Sequence, residues 1–393
     1  MSGSVRPPLA VVRERLVEAL HHPAAVFDLP PSDLDLTLRL LRRVRMLGSL
    51  ADRVRSADLF DAHSTIVGDQ LLSSLVNAEA RKRVGLWELN RIAWALAELP
   101  GVPLVALKGC AYVLAKTPNA RGRMFADVDL LVPESDLRAV ETHLRARGWQ
   151  AAELSAYDDR YYRRWTHELP PLGHVERQVE VDLHHSILMR TARLKPSSAM
   201  LLEASREVPG SRFKVLAPVD MVLHAMVHLF YGGEMEDALR ELVDVDMLLR
   251  HFGAMEPAFW KCLWPRAEAL DLARPTFYAL RYASMVLGTP VPNWVLALSQ
   301  AGAPAAPVVW LMDHLVPRAL FPQHPDRPSR LTSAARFLLY VRSHWVKMPP
   351  LMLARHLTYK VYAGHLKGTR GGDGGEVRTV IKDSVPSRPG ARE

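Results

Sequence analysis

The most constraining feature of the sequence is a pair of aspartates, Asp127 and Asp129, inside an apolar run that ends at Val132. In a β-strand alternate side chains point to the same face, so both carboxylates would share one face. Their Cα atoms would be about 6.5 Å apart, given a rise of roughly 3.3 Å per residue. Two neighbouring carboxylates need a cation beside them. The run therefore predicts a strand that presents a cation site, with a strand end carrying two solvated aspartates as the simpler alternative.

The residues before this run predict a second strand and a phosphate-binding turn. Residues 102–107 are apolar, and Lys108-Gly109 follows them, so the pattern indicates a buried strand, a tight turn and a helix over 110–116. Free amides at a helix N-terminus attract phosphate, and Lys108 adds a mobile cation. The loop that leads to the aspartates adds Arg123.

A third strand is predicted by the strict alternation of residues 178–184. Valines and a leucine point to one side, whereas Glu180, Asp182 and His184 point to the other. A strand that pairs beside Asp127 and Asp129 would bring a third carboxylate to the first two. Asp182 is the first choice for that carboxylate, and Glu180 shares its face and stays open as the alternative.

Three carboxylates beside a glycine turn are typical of metal-assisted nucleotidyl transfer. Two acids hold a divalent ion on the triphosphate, and a third helps to hold a second ion about 3.5 to 4 Å away. Magnesium suits all-oxygen ligands. Lys108, Gly109 and Arg123 would then neutralise phosphate charge.

On the same residues the sequence resembles the uncharacterised nucleotidyltransferase family, a branch of the polymerase-beta-like nucleotidyltransferases. The most specific part is Arg-x-x-x-Asp-x-Asp-Leu-Leu-Val over 123–132, and the likeness extends over roughly residues 35–360. The resemblance implies an α+β fold, with a small mixed sheet flanked by helices. It also implies Asp127 and Asp129 as metal ligands and Asp182 as the third acid. Cys110 takes the place of the usual serine or glycine in the predicted nucleotide-binding group of Lys108, Gly109, Cys110 and Arg123.

The hydrophobic pattern divides the chain into five parts. We predict a disordered start over 1–8, a helical region over 9–100, the α/β core over 101–216, a second helical region over 217–366, and a disordered tail over 367–393. In the second helical region His224 and His228 stand at i and i+4, which fits two core or hydrogen-bonded histidines better than a metal-ligand pair.

Composition narrows the class of protein. The chain has 393 residues, 49% of them hydrophobic, and a net charge of +8. Cys110 and Cys262 are its two cysteines, which favours a reducing cytoplasm over a disulfide framework. The sequence shows neither a signal-peptide pattern nor an apolar run long enough to cross a bilayer, so no membrane partner is expected.

The leading hypothesis is an enzyme that transfers NMP from an NTP, ATP first, to an unknown hydroxyl acceptor with two Mg²⁺ ions. The acceptor could be a small molecule, a peptide or a protein. One alternative is a non-catalytic, antitoxin-like or regulatory protein on a degenerate nucleotidyltransferase scaffold. Another is an RNA-directed transferase, because aromatic and arginine residues are interleaved over 157–165 and basic residues surround Trp345.

Overall fold

A computed structural model gives the fold as a mixed α+β arrangement, with one seven-stranded sheet and helical regions on both sides of it in the sequence. It describes residues 9–60, 65–151, 156–177, 179–232, 235 and 238–349. The predicted fold class is confirmed. The segments over 1–8 and 367–393, predicted to be disordered, lie outside the described residues.

The strands are short and come from the middle of the chain. They are β1 (Val105–Ala106), β2 (Asp127–Leu131), β3 (Trp149–Ala151), β4 (Leu172–His174), β5 (Glu180–His184), β6 (Arg206–Glu207) and β7 (Lys214–Val215). Their order across the sheet is β3-β4-β5-β2-β1-β7-β6. The pairs β5/β2 and β1/β7 are parallel, and the other four pairs are antiparallel. The strand with the two aspartates, β2, therefore lies in the middle of the sheet.

Helices precede, connect and follow the strands. They are α1 (Leu9–His21), α2 (Pro31–Arg43), α3 (Leu47–Ser56), α4 (Thr65–Ala95), α5 (Lys108–Leu114), α6 (Leu137–Ala146), α7 (Ala156–Trp165), α8 (Ser198–Glu203), α9 (Pro218–Tyr231), α10 (Ala238–Met255), α11 (Phe259–Ala269), α12 (Ala273–Leu287), α13 (Asn293–Ser299), α14 (Ala306–Leu320) and α15 (Arg330–Lys347). Short 3₁₀ turns begin at residues 23, 118, 134 and 300.

The apolar runs of the central strands explain their position. Val128, Leu130 and Leu131 are fully buried, as are both residues of β1, and helices α4 and α5 pack against β2. The predicted strand over 102–107 is shorter in the structure, which keeps only Val105–Ala106 as strand. Helix α5 begins at Lys108, two residues before the predicted start.

The later predictions of helices hold as well. Helices α9 and α10 include the two stretches predicted after residue 217, and Pro218 takes the first turn of α9, where a missing N–H costs nothing. The stretch with interleaved tyrosines and arginines forms α7, in which Arg163 pairs with Glu141 and Asp159. Ion pairs within the chain therefore hold that arginine.

One apolar core runs from the N-terminal helices through the sheet to α15. In the part of the chain that the structure describes, no helix by itself has the length and hydropathy to cross a bilayer. One pair, Asn293–Gly302 with Ala306–Leu320, meets those two criteria only when taken together, and it is bent by 113°.

Candidate active site

The parallel pairing of β2 with β5 brings the predicted acids together. Asp129 is the register partner of Asp182, and Asp127 is the partner of Glu180. Because side chains alternate along both strands, these four carboxylates lie on one face of the sheet. His184, two residues after Asp182, shares that face.

Depth separates the acids into an inner and an outer set. Asp129 is 1% exposed and Asp182 is 2% exposed, whereas Asp127 is half-buried and Glu180 is exposed. One ligand atom each from Asp129, Asp182 and His184 can be chosen so that all three lie within 4.8 Å of one another. The structure therefore brings Asp182, and not Glu180, to Asp129. Asp127 lies two residues before Asp129 on β2 and closer to the surface.

Lys108 supplies the positive charge that the buried acids need. Its Nζ lies 2.8 Å from Oδ1 of Asp129, and Nε2 of His184 lies 3.0 Å from the same oxygen. Lys108, the first residue of α5, adopts a positive φ of 47°. This left-handed conformation is uncommon for a residue with a side chain, and the ion pair with Asp129 holds the ammonium at the acids.

The inner residues fit a divalent cation. Oxygen and nitrogen ligands lie about 2.0 to 2.6 Å from such an ion, so donors within 4.8 Å of one another can share one with small rotations. A cation also removes the cost of burying two carboxylates side by side. Asp129 and Asp182 would hold the ion with His184 beside them, and Asp127 is not one of the residues within that distance among those that the structure describes.

Arg123 lies next to the glycine turn, but its guanidinium is already anchored. A Cβ on Gly109 would lie 3.7 Å from Nε of Arg123, so the two predicted phosphate-binding residues are neighbours. The guanidinium donates to both carboxylate oxygens of Asp244 on α10 and covers the ring of Tyr112 at 5.2 Å. Burial works to lower the pKa of Arg123, but the Asp244 carboxylate outweighs it and the pKa is raised.

Cys110 faces the interior and not the cleft. Its thiol is fully buried and donates to the carbonyl oxygens of Leu107, at 2.9 Å, and of Asp129, at 3.3 Å. Burial, with the nearby Asp129 charge, raises the pKa of the thiol to about 12. The side chain thus stabilises the turn, and only the backbone at this position remains for a phosphate.

Two close backbone approaches hold the loop before β2. Gly122 adopts a φ of 62° and lies against the backbone of Gly48 on α3, where any Cβ would clash. Three residues later Phe125 packs on Gly85 of α4, which likewise leaves no space for a Cβ. Helices α3 and α4 therefore position Arg123 and the start of β2, which gives the N-terminal helical region a direct role in the site.

Helices α9 and α10 form the wall beside Lys108. His224 on α9 is buried, and burial first, then the Lys108 charge, keeps its pKa well below the usual range. Nδ1 of His228 lies 3.1 Å from Oε1 of Glu241 on α10. One histidine of the i, i+4 pair is thus buried and the other is paired with an acid, as the sequence indicates.

Sequence reasoning placed His184 on the correct face but did not include it in the site. It also passed over His167 and Glu168, whose segment lies on the other side of β5, where Glu168 forms an isolated bridge with His184. The alternation Glu-x-Asp-x-His over 180–184 was the available signal for His184. No comparable pattern marks His167 or Glu168, because their role depends on a tertiary pairing.

Comparison with known proteins agrees with this geometry. A family described as uncharacterised nucleotidyltransferase matches residues 30–288, which include helices α2 to α4, the whole sheet and α9 to α12. No curated protein and no solved structure matches the chain. Since the match includes well over half of the sequence and the carboxylates of β2 and β5, the chain belongs to the uncharacterised nucleotidyltransferase family.

Proposed function

We propose that the protein transfers NMP from an NTP, ATP by preference, to a hydroxyl group of an acceptor, with the help of divalent metal ions. The observation that carries the proposal is the cross-strand pair Asp129 and Asp182, buried on one face of the sheet with Lys108 against it. A family of nucleotidyltransferases supplies the reaction class.

In this reaction an acceptor hydroxyl gives up its proton to water, and its oxygen forms a bond to the α-phosphorus. The bond from that phosphorus to the bridging oxygen of the β-phosphate breaks, and pyrophosphate leaves with the electron pair. A divalent ion held in the site, magnesium in the simplest case, would offset the charge that develops on the phosphate oxygens. Asp129 and Asp182 would hold it, and the half-buried Asp127 would complete the acid set for a second ion.

The other residues of the turn bind and orient. The Lys108 ammonium, paired with Asp129, would bind a phosphate oxygen of the nucleotide. Arg123, fixed by Asp244, adds positive charge beside Gly109 and stabilises the shape of the cleft. Both described cysteines are free thiols, which supports a reducing, cytoplasmic setting for the reaction.

The experiment uses ATP labelled at either end of the triphosphate. The purified protein is incubated with Mg²⁺ and cell extract in two reactions, one with label on the α-phosphate and one with label on the γ-phosphate. Nucleotidyl transfer predicts a labelled acceptor only from α-labelled ATP. Label that arrives only from the γ-phosphate would indicate phosphoryl transfer and would contradict the proposal.

A binding protein without catalytic activity is the second candidate. It is favoured by Asp129, whose carboxylate already has Lys108 and His184 as partners. This candidate predicts no labelled acceptor from either form of ATP, together with no change of the melting temperature on adding Mg²⁺ and ATP. A rise of several degrees with both ligands, lost in Asp129→Asn, would favour the enzyme.

A further inference from the structure

A second group of metal-ligating side chains lies on the far side of His184. The segment around His167 runs beside the end of β5, because the Leu169 amide donates to the Leu183 carbonyl and the His185 amide donates to the His167 carbonyl, each at 2.9 Å. The bridge between Glu168 and His184 places these two residues opposite each other. One ligand atom each from His167, Glu168 and His184 lies within 4.8 Å of the others.

The two nitrogens of His184 face different groups. Nε2 lies 3.0 Å from Oδ1 of Asp129, and Nδ1 lies 3.4 Å from Oε2 of Glu168. The side chain of His184 is 2% exposed, and its Nδ1 makes no aligned hydrogen bond to any described residue. Nδ1 of His167 is likewise buried without such a bond, while its Nε2 lies 3.7 Å from the same Glu168 oxygen.

This arrangement is incomplete without a cation. A carboxylate accepts hydrogen bonds, so Asp129 fixes the tautomer of His184 that carries its proton on Nε2. Nδ1 then presents a lone pair toward the Glu168 carboxylate. Because Nδ1 of His184 is buried, its lone pair facing a carboxylate is costly unless something positive lies between them.

We propose that His167, Glu168 and His184 bind one divalent first-row transition-metal ion of the zinc class. Two imidazoles and one carboxylate favour such an ion over magnesium, which prefers oxygen ligands alone. Three protein ligands leave a coordination position open, as in catalytic zinc sites. The side chains of His167 and Glu168 are 27% and 22% exposed, so an ion can reach the group from solvent.

The neighbouring acid supports the assignment. Metal-binding histidines commonly donate their other ring N–H to a carboxylate, which orients the ring and makes the ligating nitrogen more basic. Asp129 stands in that relation to His184. The proposed site thus shares an orienting residue with the candidate active site, yet it takes a different class of ion, and its existence does not depend on nucleotidyl transfer.

Cobalt titration of the whole protein tests the proposal. After treatment with a chelator, Co²⁺ is added, and the visible absorption of the bound ion is followed, since it reports nitrogen ligands and low coordination number. The wild type should bind one equivalent with an intense visible band, and Zn²⁺ should displace it. His167→Asn and Glu168→Gln should each weaken binding at least tenfold.

Three variants serve as controls, and thermal melting shows whether each variant folds. His314→Asn removes an exposed histidine on α14 and should bind as the wild type does. Asp127→Asn should retain the cobalt band, and Asp182→Asn should retain it as well, even where both lose nucleotide transfer. Failure of nucleotidyl transfer is therefore distinguishable from failure of this site.

Several outcomes would overturn the proposal. They are the absence of an intense band in the wild type, a band that survives in folded Glu168→Gln, and a band lost in Asp182→Asn but kept in His167→Asn.

Discussion

Asp129 and Asp182 are direct partners across the parallel pair β2/β5, and both side chains are almost completely buried. Like charges at such a position are tolerated only when positive charge compensates them. Lys108 provides part of that charge in the protein alone, through its ion pair with Asp129. A divalent ion would provide more positive charge at the same carboxylates. A bound ion should therefore partly replace the stabilising effect of Lys108.

The variant Lys108→Met tests this exchange. Without metal it should lower the free energy of unfolding by about 1 to 3 kcal/mol, because a buried carboxylate loses its charged partner. Mg²⁺ should restore more stability to this variant than it adds to the wild type. The measurement is urea unfolding in chelator and in a large excess of Mg²⁺, raised until the unfolding free energy no longer follows the Mg²⁺ concentration.

The matched control is Lys82→Met. Lys82 lies 3.5 Å from Glu79 on the exposed side of α4, with both side chains one-third exposed, so its loss should change stability little and independently of metal. Equal destabilisation of the two variants, or a stabilisation by Mg²⁺ that does not depend on Lys108, would contradict the exchange.

Removal of the Arg123 side chain should act first on stability. Arg123→Met leaves Asp244 buried without its guanidinium, and a loss of about 3 to 5 kcal/mol of unfolding free energy is expected. The double variant Arg123→Met with Asp244→Leu should recover part of that loss. Urea unfolding of the two variants measures both effects.

Arg145→Met provides the comparison for Arg123. Its guanidinium pairs with Glu141 from an exposed position on α6, so a change below about 1 kcal/mol is expected. If Arg123→Met were as stable as the wild type, the ion pair with Asp244 would not contribute to stability. Direct binding of phosphate by Arg123 would then be the better explanation.

The two cysteines should differ sharply in reactivity. The Cys110 thiol is buried with a pKa raised to about 12, whereas Cys262 is exposed. The thiolate is the reactive form, so a thiol reagent at pH 8 should modify one cysteine in the native protein and two after denaturation. Peptide mapping should assign the native label to Cys262, and fast native labelling of Cys110 would refute the buried geometry.

Stability should fall on mild acidification. His224 has a folded-state pKa well below its unfolded value of about 6.5, since burial disfavours its charged form. The unfolded chain therefore binds more protons below about pH 6.5, so stability is fully present above that pH and is lost below it. One such histidine contributes at most about 1.4 kcal/mol per pH unit.

Urea unfolding in chelator at pH 7.5, 6.5 and 5.5 measures this dependence. His167 has its pKa lowered in the same direction, first by burial, and adds to the slope. His224→Gln cannot take up a proton and should show a shallower loss of stability between pH 6.5 and 5.5. An unchanged slope in this variant would exclude His224 as a cause.

The parts of the site that lie within one strand or one turn were predictable from the sequence. Alternation places Asp127 and Asp129 on one face, and it places Asp182 on the same face as Glu180, because strand periodicity is a local property. The short apolar run before Lys108 likewise indicates a strand and a turn. These predictions require no knowledge of which elements pair.

The rest depends on distant contacts. Nothing in the sequence links Arg123 to Asp244, which lies 121 residues later. The sequence alone therefore suggests that Arg123 is available to bind phosphate, although its guanidinium is held by Asp244. The inward rotation of Cys110 follows from the packing of α5 against β2. The choice between Glu180 and Asp182 depends on the register of β5 against β2, which local periodicity leaves open.

The central claim is that Asp182, paired with Asp129 in the buried part of the site, is the third acid of a nucleotidyltransferase. Transfer of label from α-labelled ATP should be compared in Asp182→Asn and Glu180→Gln, two isosteric changes on one face of one strand. We expect Asp182→Asn to lose at least a hundredfold in rate and Glu180→Gln to stay within about threefold of the wild type, which corresponds to less than 1 kcal/mol. Loss of transfer in Glu180→Gln with an active Asp182→Asn would contradict the account.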